Sequence, residues 1–122
     1  MFASLPMYAR PQNAAAHDAL WMLIRDGLRD RGVAAPDTLD QDFHCVQGWG
    51  REDLVLGQIC NLPYRALFRD RVTVIGSADY DLPEVEPGQY FSQWVVRADD
   101  PAQRLEDCDG YRLAYNDALS HS

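Results

Sequence analysis

Short apolar runs of strand length alternate with a helical pattern in this sequence, and the alternation limits the folds open to it. Residues 2–8 and 54–60 are mostly apolar, and the segment between them contains a long helical pattern. Strands that alternate with helices are typical of an α/β fold, in which a mainly parallel sheet is flanked by helices. We therefore predict this fold class, for which a hydrophobic content of 47% supplies enough core.

The helical pattern begins after Asn13, a suitable N-cap residue, and ends before Gly32, which suits the left-handed position that follows a helix. Apolar side chains recur within it at helical spacing and are predicted to be core: Ala16, Leu20, Leu23, Ile24 and Leu28. Further strands are predicted over 43–47, 72–77, 90–97 and 112–116, and further helices over 62–69 and 100–110.

The chain carries a net charge of −8, and all eleven of its basic residues are arginine. Nucleic acids and anionic membranes are bound through basic clusters that neutralise phosphates, so neither partner is expected. The absence of lysine excludes Schiff-base chemistry and a Walker-type phosphate lysine from this chain. Three cysteines without metal-ligand spacing predict no metal site and no disulfide framework.

The first residues of the chain bear on its location. They lack the basic segment and the long apolar segment of a secretory signal. The chain as written is therefore expected in the cytoplasm, and in the periplasm if a signal has been removed from it.

Polar side chains follow several predicted strands, at the carboxyl ends where open α/β sheets bind ligands. Tyr8 and Gln58 lie at two of these ends, and the alternative role of each is packing or fixing a turn. Ser120 and Ser122 follow the last predicted strand, where hydroxyls and free backbone N–H groups suit phosphate, phosphonate or sulfate. An ordinary helix cap or a tail is the alternative for the serines. No GxSxG, HExxH or CxxC motif indicates an enzyme.

Four segments together resemble a known family of binding proteins. They are similar to the phosphate, phosphite and phosphonate transport-type substrate-binding proteins, the PhnD-like group of the type 2 periplasmic-binding-protein fold. The family has a Q-T-C-G-x-P-[YL] segment, a first strand with its turn, a crossover strand and an S-x-S-G anion loop. The matching segments here are 58–64 (QICNLPY), 3–8 (ASLPMY), 90–97 (YFSQWVVR) and 120–122 (SHS). Asn61 stands where the family usually has glycine.

The resemblance implies two lobes with a ligand in the cleft between them. Residues 1–89 would form the first lobe, 90–99 the crossover or hinge strand, and 100–122 the start of a second lobe that is not completed. A small oxyanion would be bound by hinge closure, through Ser120 and Ser122 and also through Tyr8, Gln58 and Ser92. The implied partners are this anionic ligand and the permease of an ABC transporter, and no cofactor or catalytic residue is implied.

Two other functions are compatible with the same fold. One is a cytosolic enzyme of the thiamine-pyrimidine or menaquinone biosynthesis type, and the missing signal favours it. The other is a cytosolic ligand-sensing module. Because the chain stops at Ser122, where the serine turn begins, self-association through an exposed cleft face is also expected.

Overall fold

The computed structural model describes residues 1–42 and 45–120. They divide into two compact units, Met1–Val72 and Thr73–Ser122. The first unit contains the strands and the long helix, and the second contains little regular structure.

Two short parallel strands and a long helix form the centre of the first unit. Strand β1 (Phe2–Ser4) pairs in parallel with β2 (Leu54–Gly57), and helix α1 (Ala14–Asp30) lies between them in the chain. The predicted parallel pairing is therefore confirmed. Strand β1 is shorter than the predicted 2–8, because Pro6 has no N–H to donate to a neighbouring strand.

Helix α1 ends as its sequence predicts. Gly32 has a φ of +76°. Its N–H donates to the Arg29 carbonyl (2.9 Å), and the Val33 N–H donates to the Leu28 carbonyl (3.0 Å). These two bonds form a complete Schellman motif, which satisfies carbonyls that the helix end would otherwise leave unpaired.

The buried face of α1 is rotated from the predicted one. Trp21 is 1% exposed and packs with Ala3 and Ala35, and Ile24 and Leu28 lie partly buried against this cluster. The prediction was right for those last two residues and wrong for three others, which are exposed: Ala16, Leu20 and Leu23. Apolar residues lie on more than one side of α1, so helical spacing alone did not identify the side that the large indole occupies.

A short helix replaces the strand predicted over 43–47. Residues 43 and 44 lie outside the described part of the chain, and helix α2 spans Cys45–Trp49. The helical turn buries Trp49, whose ring meets that of Phe68 edge-on at 6.1 Å. Its indole Nε1–H also donates to the Gln58 carbonyl at 2.7 Å, so packing of this one side chain outweighs the local strand pattern.

The helix predicted over 62–69 is confirmed. It consists of α3 (Asn61–Pro63), with Pro63 tolerated in the first turn, followed directly by a π-helical turn (Tyr64–Phe68). Phe68 is buried, and the Arg71 guanidinium lies 5.4 Å from its ring centroid.

The strand predictions for the second unit were wrong. Residues 72–77, 90–97 and 112–116 form no strand. The regular element of the described residues 73–120 is a 3-10 turn (Leu105–Cys108) within the predicted helix 100–110. A strand needs a neighbour to take up its N–H and C=O groups, whereas Ile75 and Val95 here are 82% and 85% exposed. In the described part of the chain, no helix is long and apolar enough to cross a membrane.

Candidate functional site

The loop after β1 holds a tyrosine in an unusual backbone conformation. Tyr8 has a φ of +64°, which is uncommon for a residue with a side chain, and its side chain is largely exposed. A conformation of this kind costs about 1–3 kcal/mol and persists where the surrounding structure enforces it. Two polar side chains fix the loop here, Gln41 at Leu5 and Asn13 at the Tyr8 carbonyl.

Gln41 is the first of these side chains. Its Oε1 accepts from the Ser4 hydroxyl (2.9 Å) and from the Leu5 N–H (3.1 Å), and its Nε2 donates to the Leu5 carbonyl (3.1 Å). The Ser4 hydroxyl belongs to a residue that is only 2% exposed, so Gln41 satisfies a group with little access to water. The amide thereby fixes the point at which the chain leaves β1.

Asn13 is the second. Its Nδ2 donates to the Tyr8 carbonyl (2.9 Å), and its Oδ1 accepts from the Arg10 N–H (2.8 Å). The residue stands before α1 as predicted, yet its side chain makes no capping bond to the helix. Asn13 instead fixes the loop, with help from a bond of the Ala9 N–H to the Pro6 carbonyl (3.2 Å).

The end of β2 lies at the same edge of the sheet. The Gln58 N–H donates to the Ser4 carbonyl (3.2 Å) and so extends the parallel pairing by one residue. Beyond it, the Cys60 Sγ lies 3.8 Å from the Met7 Sδ on the loop after β1. The segments that carry Tyr8 and Gln58 are therefore brought together at the carboxyl edge of β1 and β2, where α/β sheets bind ligands.

Asn61 stands where the family named in the sequence analysis usually has glycine, and its backbone conformation shows whether glycine is needed at this position. Asn61 begins α3, and it is not among the residues with positive φ. An asparagine therefore fits this position without backbone strain, because glycine is needed only where φ is positive.

A cleft of about 340 Å³ lies beside the Tyr8 loop. It is lined by Ala9, Arg10, Pro11, Ala14, His17, Asp18, Gln41 and Asp42. The His17 Nδ1 is buried and has no hydrogen-bond partner among the described residues. His17 was not among the site residues predicted from the sequence, although its position four residues before Trp21 places it on the buried side of α1. Nothing in the sequence signalled Gln41.

Cys60 is disfavoured as a catalytic nucleophile at this edge. Burial, and to a lesser extent the neighbouring Cys45, raise the pKa of Cys60. A raised pKa keeps the thiol protonated at neutral pH, and the thiolate is the nucleophilic form. Among the described residues, no group of three or more His, Cys, Asp or Glu side chains is arranged to hold a metal ion.

Charge is distributed unevenly between the two units. Residues 1–72 contain eight arginines and nine acidic residues, and residues 73–122 contain three arginines and ten acidic residues. The second unit thus contributes −7 of the net charge of −8. The sheet edge beside which Tyr8 and Gln58 lie therefore belongs to the less negatively charged unit, which repels an anion less.

The serines of the predicted site belong to the second unit. Ser92 lies exposed in an irregular segment. Ser120 closes a turn in which its N–H donates to the Asp117 carbonyl (3.0 Å), so it follows a turn rather than the predicted strand. Ser122 lies outside the described residues.

Comparison of the chain with protein-family models, with characterised proteins and with solved structures finds no match.

Proposed function

We propose that this chain is a solute-binding protein of the type 2 periplasmic-binding-protein class that binds a small oxyanion of the phosphonate or phosphate type. In this proposal residues 1–89 belong to the first lobe, 90–99 form the hinge strand and 100–122 begin the second lobe. Closure of the hinge would enclose the ligand without covalent chemistry. The closed form would be the one that an ABC-transporter permease recognises.

The observation that carries the proposal is the placement of Tyr8. Its carbonyl accepts from Asn13, and Gln41 fixes the chain at Leu5, three residues earlier. The left-handed Tyr8 therefore follows the carboxyl end of β1, beside the end of β2 that carries Gln58. A phenol hydroxyl and a side-chain amide are neutral donors that suit phosphoryl oxygens. Fixed donors also lower the ordering cost of binding, which favours affinity.

Neutral hydrogen-bond donors suit anion binding by a chain with a net charge of −8. Ser92, Ser120 and Ser122 lie in a segment with a net charge of −7, so hydroxyl and backbone N–H groups would have to hold the anion there. In the first unit, Arg10 lies two residues after Tyr8 and lines the adjacent cleft. We assign to it the electrostatic attraction of the ligand toward the Tyr8 loop.

Calorimetry tests the proposal. The chain is titrated with phosphate, phosphite, methylphosphonate and sulfate at constant ionic strength, with chloride as the control anion. At least one phosphorus oxyanion is expected to give saturable heat. Tyr8→Phe is expected to weaken its binding by roughly 10- to 150-fold, since a hydrogen bond to a charged group contributes roughly 1.5–3 kcal/mol.

Tyr115→Phe is the matched control, because it removes a phenol hydroxyl from an exposed tyrosine that is not among the proposed site residues. Its affinity should equal that of the unmodified chain. The absence of saturable heat with every phosphorus oxyanion, or equal weakening by both substitutions, would contradict the proposal.

A further inference from the structure

Two of the three cysteines lie on elements that pack side by side. Cys45 begins α2, and Cys60 follows β2 and directly precedes α3. The Trp49 indole N–H donates to the Gln58 carbonyl at 2.7 Å, although only the turn 50–53 separates α2 from β2. A contact between these residues requires the chain to double back, so α2 and β2 run in roughly opposite directions.

The contact between Trp49 and Gln58 sets the register of the two elements. Going back from Trp49 by four residues to Cys45 covers about 6 Å along the helix. Going forward from Gln58 by two residues to Cys60 covers about 6–7 Å along the extended chain. Because the elements run in opposite directions, both steps lead toward the same end of the pair.

The faces of the two elements also agree with a close approach. Cys45 and Trp49 are four residues apart and therefore share one face of α2, which is the face turned toward the end of β2. Both cysteines are partly buried and free. An independent sign of proximity is that the Cys45 thiol contributes to the raised pKa of Cys60, after the larger effect of burial.

We propose that Cys45 and Cys60 are a modification site: a thiol pair that converts reversibly to a disulfide. With glutathione disulfide as oxidant, one cysteine thiolate attacks a glutathione sulfur, the glutathione S–S bond breaks, and one reduced glutathione leaves with the proton of the attacking thiol. The second cysteine then attacks the mixed disulfide and releases a second reduced glutathione. Two protein thiols are oxidised and one glutathione disulfide is reduced.

The bond would act on the sheet edge described above. The reduced Cys60 Sγ lies 3.8 Å from the Met7 Sδ, on the loop that carries Tyr8. A bond to Cys45 turns this sulfur toward α2 and connects α2 covalently to the start of α3. The proposal rests on the packing of α2 against β2 and does not depend on the proposed ligand.

The experiment uses the whole chain in buffers with different ratios of reduced to oxidised glutathione. Free thiols are blocked with N-ethylmaleimide, and tryptic peptides are mapped by mass spectrometry without reduction. Trypsin cleaves after arginine and separates the three cysteines into peptides 32–51, 52–65 and 105–112. A linked species of 32–51 with 52–65 is expected, with Cys108 remaining alkylated.

The folded chain is compared with the chain in concentrated urea to show that the fold brings the thiols together. The equilibrium constant for the 45–60 disulfide against glutathione should be at least ~10-fold larger in the folded chain. Cys108→Ser should keep the linked peptide, and Cys45→Ser or Cys60→Ser should abolish it.

Three results would overturn the proposal. One is no linked peptide at any glutathione ratio, and another is a link that involves Cys108. The third is an equilibrium constant in urea equal to or above that of the folded chain, because the fold would then hold the two thiols apart. The unmodified chain gives all three readouts, so a variant that fails to fold does not affect the decision.

Discussion

Gln41→Ala is the substitution that most directly tests how the Tyr8 loop is held. It removes three hydrogen bonds, two to the backbone of Leu5 and one to the buried hydroxyl of Ser4. Each such bond contributes a net ~0.5–1.5 kcal/mol to stability. Because the site is only partly buried, the groups that lose Gln41 as a partner regain some hydrogen bonding to water. We therefore expect the free energy of unfolding to fall by about 2 kcal/mol, a large part of the stability of a small domain.

Urea denaturation followed by circular dichroism measures this loss, and two further variants calibrate it. Gln41→Glu keeps the acceptor for Ser4 and Leu5, loses the donor to the Leu5 carbonyl and places a negative charge beside that oxygen. It should lose about 1 kcal/mol or somewhat more. Gln12→Ala changes an exposed glutamine near the start of α1 and should stay within roughly 0.5 kcal/mol of the unmodified chain. A loss below about 0.5 kcal/mol for Gln41→Ala would refute the assigned role of the amide.

Three further predictions concern the first unit. Gly32→Ala should destabilise the chain by about 1–2 kcal/mol, because φ is +76° there. Gly27→Ala, inside α1, should instead stabilise it by up to about 1 kcal/mol, since a Cβ there meets nothing closer than 3.5 Å. If both substitutions shift the melting temperature in the same direction, this pair of predictions is contradicted. Trp49→Phe removes the bond to the Gln58 carbonyl and should cost about 1–2 kcal/mol in urea denaturation, and no measurable loss would argue against that bond. Arg51 and the N-terminal ammonium group lower the pKa of Asp53 well below 3.8, so its stabilising contribution is present above about pH 4 and is lost as the pH falls through the lowered pKa. Asp53→Asn should therefore reduce stability most at pH 6 and by a smaller amount near pH 2, and an equal effect at both pH values in acid titrations would contradict this linkage.

Local signals were sufficient for the fold where they agreed with tertiary packing. The end of α1 at Gly32 and the helix after Cys60 were predicted because glycine permits a left-handed backbone and proline fixes φ at a value that suits a first helical turn. The parallel pairing of β1 with β2 followed from apolar runs on either side of a helix. These elements need few distant contacts for their definition.

Elsewhere the sequence pattern was ambiguous or misleading. Apolar residues on several sides of α1 concealed the burial of Trp21. Residues 45–47, the described part of the strand predicted over 43–47, became helical because Trp49 packs on Phe68. Residues 90–97 have strand propensity, but the described residues 73–120 include no strand with which they could pair. Propensity describes one segment, whereas a strand or a buried face depends on its neighbours.

The candidate site, like the fold, could be predicted from the sequence only in part. Tyr8 and Gln58 were predicted from their places at the ends of two strands, and these ends do meet. Gln41 and Asn13, which fix the Tyr8 loop, are ordinary loop amides in the sequence, and their bonds depend on the folded path of the chain. Side chains that support a site carry no local signal of that role.

The central claim is that Tyr8 and Gln58 contribute to one oxyanion site. An NMR titration of the isotope-labelled chain with methylphosphonate tests it most directly. We expect the amide resonances of Tyr8 and Gln58 to shift together and to saturate at one ligand concentration, while an equal ionic strength of chloride leaves them in place. Resonances of Tyr8 and Gln58 that stay unmoved, or that drift without saturation as the surface resonances do, would contradict it.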